Sequence, residues 1–410
     1  MLRGVSGAGA RRQSRSRPGI FFALPNVLAS GVSSRGLVAK TSGSARDEDD
    51  DHRQEVTLPK KLVHFLAVRY RLLCLIAFAG SSALWSIQST GTDANLRGVS
   101  VITDSEHDEK TVVWATGSNG TVLRTVDSGK HWKRLEIPSG GALDFRGVYA
   151  VDDKTAYVMS SGEGEKSRIY KTRDGGANWE LQYTDQRKAF FLDAISCWNE
   201  THCFALSDPV DGKFLLLRTE DGTHWSELPR DNMPAALANE GAFAASNSSL
   251  TIYDGREIYF ATGGASRVFR SKNLGKTWAV SQTPVISGKA SCGIFSIVVR
   301  ASDVVVVGGD YQDPKSAFKN AAVSHDFGET WQLAKNLPGG YRSSVAYFAG
   351  GFVTVGPSGA ELSTDGLNWE HMEGTNLNAI GIDRGKGWAV GSKGSVATFW
   401  EIINLPITGR

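Results

Sequence analysis

The architecture of the chain follows from one octapeptide, Ser324-His325-Asp326-Phe327-Gly328-Glu329-Thr330-Trp331, and from five variants of it. Three variants have the same length and end at Trp132, Trp179 and Trp278, and two are one residue shorter and end at Trp225 and Trp369. Each contains Ser or Thr, an Asp or Asn two residues later, and then Gly and Trp; the Asp/Asn positions are Asp127, Asp174, Asp221, Asn273, Asp326 and Asp365.

This composition is typical of a hairpin corner. The Asp or Asn oxygen accepts hydrogen bonds from backbone N–H groups just ahead of it, and Gly supplies a residue with positive φ. The Trp opens the next strand and buries its ring beneath the corner. We therefore predict that the six boxes are structural, and their recurrence indicates a repeat fold.

The intervals between the boxes predict the fold class. Successive box tryptophans are about 40 to 50 residues apart, and each interval holds short apolar segments that read as four antiparallel strands. After Trp369 only three further strands are predicted, whereas Leu84–Ser89 resembles the strand that begins at Asn178. The sequence thus predicts an all-β, seven-bladed β-propeller, whose last blade is closed by pairing of the N- and C-terminal strands.

The boxes resemble a known pattern, the Asp-box or bacterial neuraminidase repeat. It is found in sialidases, in sortilin-type receptors and in the photosystem II stability/assembly factor family. The resemblance covers about residues 84–410.

The N-terminal region differs in composition from the repeats. Residues 1–46 contain no acidic residue and are rich in Arg, Ser, Gly and Ala, which is typical of a transit peptide or of sequence upstream of the true start. Residues 47–59 read as a disordered acidic spacer. Residues 60–83 have a basic flank, a short apolar run and small residues, which favours a signal peptide over a membrane tether. We expect an exported protein, located in the thylakoid lumen if both signals are real and otherwise in a bacterial periplasm or at the cell surface.

Charge and cysteine usage limit the function classes. Basic residues are in excess in residues 1–83 and acidic residues in 84–410, and a mildly acidic body argues against a nucleic-acid partner. Neither His nor Cys residues have metal-ligand spacing, so we predict no metal and no cofactor. Cys197 and Cys203 flank a predicted hairpin loop, where they form either a disulfide or two reduced thiols.

The candidate site lies on the innermost strands around the channel. Aligning these first strands places seven residues at one structural position: Arg97, Arg146, Asp193, Phe243, Phe295, Arg342 and Asn378. Loops nearby add Asp144, Asp208, Asp211, Glu240, Asp310, Tyr311 and Tyr341. These arginines either pair with neighbouring carboxylates along a wet channel or form a clamp for an anion, since guanidinium groups bind carboxylates bidentately.

Two functions of different classes use such a clamp. The inner-strand starts Leu96-Arg97-Gly98-Val99 and Phe145-Arg146-Gly147-Val148 and the Gly340-Tyr341-Arg342-Ser343 segment resemble the photosystem II stability/assembly factor family. That resemblance implies a monomeric, non-enzymatic factor that holds a membrane-protein subunit during complex assembly. The alternative is a sialidase-like hydrolase with Arg97, Arg146 and Arg342 as the carboxylate clamp. It is disfavoured because the Arg-Ile-Pro motif near the first arginine is absent.

Overall fold

The computed structural model describes residues 85–103, 110–374 and 376–400. The predicted leader, spacer and signal segments therefore lie outside the described residues. So does Leu84, the first residue of the predicted closing strand.

The described residues form 28 strands and two short 3-10 helices, at Gly164–Lys166 and Ser392–Gly394. The closing strand is β1 (Ser86–Gln88). Blade 1 contains β2 (Leu96–Thr103), β3 (Thr111–Gly117), β4 (Thr121–Thr125) and β5 (Lys133–Leu135). Blade 2 contains β6 (Asp144–Ala150), β7 (Ala156–Ser161), β8 (Arg168–Thr172) and β9 (Glu180–Thr184). Blade 3 contains β10 (Leu192–Cys197), β11 (Cys203–Val210), β12 (Lys213–Thr219) and β13 (Ser226–Glu227).

Blades 4 to 7 have the same organisation. Blade 4 contains β14 (Leu250–Tyr253), β15 (Glu257–Ala261), β16 (Arg267–Ser271) and β17 (Ala279–Gln282). Blade 5 contains β18 (Cys292–Arg300), β19 (Asp303–Asp310), β20 (Ala321–Ser324) and β21 (Gln332–Leu333). Blade 6 contains β22 (Ser344–Phe348), β23 (Gly351–Gly356), β24 (Gly359–Ser363) and β25 (Glu370–Met372). Blade 7 contains β26 (Leu377–Asp383), β27 (Lys386–Gly391) and β28 (Val396–Trp400).

The seven sheets confirm the predicted fold and its closure. Each is a four-stranded antiparallel sheet, and in blade 7 the order is β1-β28-β27-β26. Residues Ser86, Ile87 and Gln88 pair with Thr398, Ala397 and Val396. The first strands of neighbouring blades contact one another around a complete ring, ending with β26 against β2. The N-terminal strand therefore completes the last blade, and the first strand of every blade faces the channel.

Hydrophobic packing between adjacent blades holds the ring together. The fully buried Trp114 of blade 1 meets the box residue Trp179 edge to face, with ring centroids 6.1 Å apart. Tyr157 of blade 2 meets Trp225 in the same way at 6.0 Å. Because Trp179 and Trp225 pack on the preceding blade, their boxes both turn the chain and join two blades.

The octapeptide at Asp326 shows how a box forms its corner. The carboxylate oxygen Oδ1 accepts hydrogen bonds from the backbone N–H groups of Glu329 and Thr330, at 3.1 and 2.8 Å. The Ser324 hydroxyl donates to the same oxygen and accepts from the N–H of Gly328. Gly328 has φ of 85°, a left-handed conformation that glycine adopts without steric strain. These bonds, led by those from Ser324 and Thr330, lower the pKa of Asp326 to about 2.

The two cysteines that flank the predicted hairpin loop are joined. Cys197 at the end of β10 is opposite Cys203 at the start of β11, and their sulfur atoms form a disulfide. Of the two alternatives that the sequence left open, a disulfide or two reduced thiols, the structure contains the disulfide.

In the described part of the chain, we find no helix with the length and apolar character needed to span a membrane.

Candidate functional site

A backbone irregularity places selected side chains in the channel. The pairing of the first and second strands shifts by one residue at Arg97, Arg146, Asp193, Phe295 and Asn378, in blades 1, 2, 3, 5 and 7. A β-bulge of this kind leaves its extra residue outside the regular ladder and re-aims its side chain. All five bulge residues line one cavity of about 620 Å³. Within the described residues, the bulges therefore explain why these side chains share a site.

The arginine side of the cavity comes from blades 1 and 2. The Arg146 Nε donates to the Asp144 carboxylate at 2.8 Å, and its Nη1 donates to the Ala244 carbonyl at 3.4 Å. Arg97 is half-buried and makes no hydrogen bond or ion pair within the described residues. Burial, together with the neighbouring Arg146 guanidinium, lowers the pKa of Arg97. Its planar donors are thus available to an incoming anion.

The acidic side of the cavity comes from blade 3. Asp193 is only 1% exposed, and neither of its carboxylate oxygens has a hydrogen-bond partner among the described residues. Asp208 lies at a second irregularity, in the pairing of β11 with β12, and its Oδ1 accepts from the Ala242 N–H at 2.9 Å. Burial raises the pKa of Asp193 well above its ordinary value, and the adjacent Asp208 raises it further. Burial also raises the pKa of Asp208 to about 6.

An aromatic wall closes the cavity on the side of blades 4 and 5. The Phe243 and Phe295 rings are stacked with centroids 3.7 Å apart, and the Tyr341 ring packs edge-on against Phe295 at 4.6 Å. Tyr311 is 49% exposed and stands edge-on to both phenylalanines at the rim. The cavity therefore offers three surfaces, one basic, one acidic and one aromatic.

Arg342 does not belong to the channel ring, so its predicted position is wrong. Its guanidinium is 1% exposed and forms a bidentate ion pair with the buried Glu361, and it also donates to the Tyr341 carbonyl at 2.8 Å. Ser343 lines the cavity in its place. A register error of one residue turns a strand side chain to the opposite face, which explains the miss.

The sequence does contain the signal that would have placed Ser343. In the five blades with a bulge, the bulge residue is followed by a small residue and then by a β-branched one, as in Arg97-Gly98-Val99 and Asp193-Ala194-Ile195. Ser343-Ser344-Val345 has the same pattern. Aligning this segment on Arg342 instead of on the pattern shifts the predicted register by one residue.

Two further predicted site residues, Glu240 and Asp310, do not line the cavity. Glu240 is held by Arg267 in a bidentate ion pair and accepts from the Thr262 hydroxyl at 2.7 Å. Asp310 accepts from the Gln312 N–H at 3.0 Å and lies 3.6 Å from the Lys289 ammonium. Both carboxylates thus stabilise loops. Tyr341 and Asn378 do line the cavity, and the Asn378 amide donates to the Leu96 carbonyl at 2.8 Å.

The described residues contain no group of three or more His, Cys, Asp or Glu side chains arranged to hold a metal ion. The three arginines that a sialidase-like clamp requires are not assembled either, because only Arg97 and Arg146 line the cavity.

Comparison with known proteins finds relatives among photosystem II assembly proteins. The photosystem II assembly protein Ycf48 of Synechococcus sp. (strain JA-2-3B'a(2-13)) is 24% identical over 267 residues, covering 55% of this chain and 72% of that protein. The photosystem II assembly lipoprotein Ycf48 of Trichormus variabilis (strain ATCC 29413 / PCC 7937) is 22% identical over 303 residues, covering 62% and 77%. The chain is similar to the photosystem II stability/assembly factor family. No protein-family model matches it.

Solved structures agree on the fold. Ycf48 bound to a D1 peptide superimposes with a TM-score of 0.56 at 16% identity, covering 78% of this chain and 98% of that chain. Ycf48 from Cyanidioschyzon merolae gives 0.56 at 15% identity, covering 78% and 99%. Virginiamycin B lyase from Staphylococcus aureus also gives 0.56, at 13% identity, covering 78% and 100%. At these identities the likeness shows the propeller fold alone, which assembly factors and an enzyme share.

Proposed function

We propose that this propeller is a non-enzymatic, extracytoplasmic binding platform, which holds a peptide segment of a membrane-protein subunit while a complex such as photosystem II is assembled. Arg97 carries the proposal, because its guanidinium lines the cavity without any protein partner among the described residues. A partner anion would supply the missing acceptors, and a carboxylate fits the guanidinium fork best.

The neighbouring surfaces extend this mode of binding. Arg146 is oriented by Asp144 toward the same cavity and adds a second positive charge beside Arg97. The Phe243–Phe295 stack offers an apolar surface against which a side chain next to the carboxylate would pack. We therefore propose that the bound element is a chain terminus or an acidic side chain followed by an apolar group. Similarity to Ycf48 proteins, one of which was solved with a D1 peptide, supports D1 as the subunit.

The proposal is tested with fluorescein-labelled peptides that tile the D1 sequence, each made with a free C-terminal carboxylate and as the amide. We expect at least one carboxylate peptide to bind in fluorescence anisotropy. Arg97→Ala and Arg146→Ala should each weaken that binding by about tenfold or more. Arg256→Ala is the matched control, since that side chain is 77% exposed and does not line the cavity.

Two outcomes would contradict the platform. One is binding that is equal for carboxylate and amide peptides and unchanged by both arginine substitutions. The other is turnover of a fluorogenic glycoside that is lost in Arg97→Ala, because a binding platform has no such activity.

A further inference from the structure

The orphaned carboxylate of Asp193 is a polar group that the arginine clamp does not use. It is 1% exposed, it faces the cavity, and both of its oxygens lack hydrogen-bond partners among the described residues. Buried polar groups are almost always satisfied, and one that is not usually has a functional reason. A ligand group that donates hydrogen bonds would satisfy this one.

Asp208 places a second carboxylate on the same side of the cavity. Its Oδ1 is occupied by the Ala242 N–H, and its Oδ2 has no hydrogen-bond partner within the described residues. Gly241 leaves room for this carboxylate, since a Cβ at that position would lie 2.8 Å from the Asp208 Oδ1. The two side chains thus place three carboxyl oxygens without a hydrogen-bond partner on this side of the cavity.

No cation within the described residues neutralises this pair by contact. Arg146 is the basic group whose charge acts on Asp193, but its hydrogen bonds go to Asp144 and to the Ala244 carbonyl. A metal ion is a poor occupant, because no third His, Cys, Asp or Glu of the described residues joins the two carboxylates. A primary ammonium fits better, since it has one positive charge and three N–H donors.

We propose that Asp193 and Asp208 form an ammonium subsite that receives a lysine side chain of the bound peptide. This inference rests on the proposed function, because the same peptide is held by its carboxylate against Arg97 and Arg146. The basic groups come from blades 1 and 2 and the acidic groups from blade 3. The cavity therefore selects a dipolar peptide, in which a lysine lies at a fixed spacing from a carboxylate.

The test uses fluorescein-labelled hexapeptides with a free C-terminal carboxylate, an alanine background and one lysine, which is placed at each position in turn. Each has a twin with norleucine, which keeps the four-carbon side chain and lacks the ammonium group. We expect one lysine position to bind about tenfold more tightly than its norleucine twin. Asp193→Asn and Asp208→Asn should each reduce this ratio to near one.

Asp211→Asn is the matched control, because Asp211 is 86% exposed and does not line the cavity. Thermal unfolding of each variant verifies that it is folded, and the lysine–norleucine comparison on the unchanged protein does not depend on any variant. The subsite is overturned if lysine and norleucine peptides bind equally at every position, or if no lysine peptide binds at up to about 1 mM.

The two proposals fail separately. If carboxylate peptides bind better than their amides but lysine gives no advantage, the platform stands and the ammonium subsite is wrong. If the lysine preference is present while the amide binds as well as the carboxylate, the acidic subsite stands alone and the arginine clamp is wrong.

Discussion

At the scale of single residues, Arg97 and Arg342 have the same side chain and opposite roles. Arg342 is 1% exposed and satisfied by Glu361, whose side chain is also buried. Arg97 is half-buried and has no partner among the described residues. A buried charge that loses its partner is strongly destabilising, whereas removal of an unpaired, partly exposed charge changes stability little.

Arg342→Ala should therefore lower the free energy of unfolding by about 3–5 kcal/mol, because it leaves the buried Glu361 side chain without its partner. Arg97→Ala should change it by less than about 1 kcal/mol. Urea denaturation followed by tryptophan fluorescence measures both. The double change Arg342→Met with Glu361→Met should recover much of the loss. Equal stabilities of Arg342→Ala and Arg97→Ala would contradict the different roles assigned to these two arginines.

Asp208 gives the stability a defined pH dependence. Burial raises its pKa to about 6 in the folded protein, whereas an unfolded Asp titrates near 3.9. Between these values the folded state binds more protons, so this group lowers the free energy of unfolding as the pH rises from about 4 to about 6. Burial raises the pKa of Asp193 in the same direction.

Asp208→Asn removes that titration, and the amide oxygen can still accept from the Ala242 N–H. The variant should match the native protein near pH 4 and be more stable above pH 7, by about 2–3 kcal/mol. Urea denaturation at pH 4 to 8 tests this, with Asp211→Asn as the exposed control. If the free energy of unfolding changes equally with pH in the native protein and in Asp208→Asn, Asp208 does not titrate between pH 4 and 8.

At the scale of elements, the box corner is a compact unit of hydrogen bonds. The Asp326 carboxylate accepts from Thr330 through both its backbone N–H and its hydroxyl, at 2.8 and 2.6 Å. The ring of the neighbouring Trp331 donates to the Ser281 hydroxyl of blade 4 at 2.9 Å. Disruption of one corner thus acts on two blades.

Asp326→Ala should lower the free energy of unfolding by about 1–2 kcal/mol, since several backbone and hydroxyl donors lose their acceptor. Asp326→Asn keeps one acceptor oxygen and should lose less than half of that. Thermal unfolding of both variants tests the ranking. A larger loss in the Asn variant than in the Ala variant would mean that the corner does not act through these bonds.

The innermost strands show where prediction from the sequence stops. The boxes, the strand order and the blade number follow from residue patterns that repeat, because backbone turns and apolar faces depend on local sequence. Which side chain of the first strand faces the cavity depends on the register of that strand and, in five blades, on the bulge. In blade 6 a register error of one residue led to the prediction of Arg342 where Ser343 lines the cavity. The ion pairs of Glu240 with Arg267 and of Arg342 with Glu361 join separate segments of the chain, so no local pattern reveals them.

At the scale of the whole propeller, closure depends on a strand of three residues, Ser86–Gln88. Among the described strands it pairs with β28 alone, and Ile87 is 77% exposed, so the strand itself buries little apolar surface. Trp85 compensates by packing edge-on against Phe399, with centroids 4.7 Å apart. This ring therefore adds an apolar contact that helps to keep blade 7 closed.

Trp85→Ala should lower the free energy of unfolding by about 2–4 kcal/mol, because it removes this aromatic contact and leaves a void beside Phe399. The control is Leu181→Ala, on the outermost strand of blade 2, where the side chain is 47% exposed. Hydrogen exchange should show faster exchange in β28 of the Trp85 variant than in β8. Equal protection of β28 in the native protein and the variant would contradict a role in closure.

The bulges have a consequence for how this scaffold changes over evolution. Because a bulge residue stands outside the ladder, its identity is only weakly constrained by sheet pairing, as the occurrence of Arg, Asp, Phe and Asn at equivalent places shows. A few substitutions at these places would then exchange one ligand preference for another while the surrounding framework stays intact. Propellers of this design are thus suited to diversify their recognition faster than their architecture.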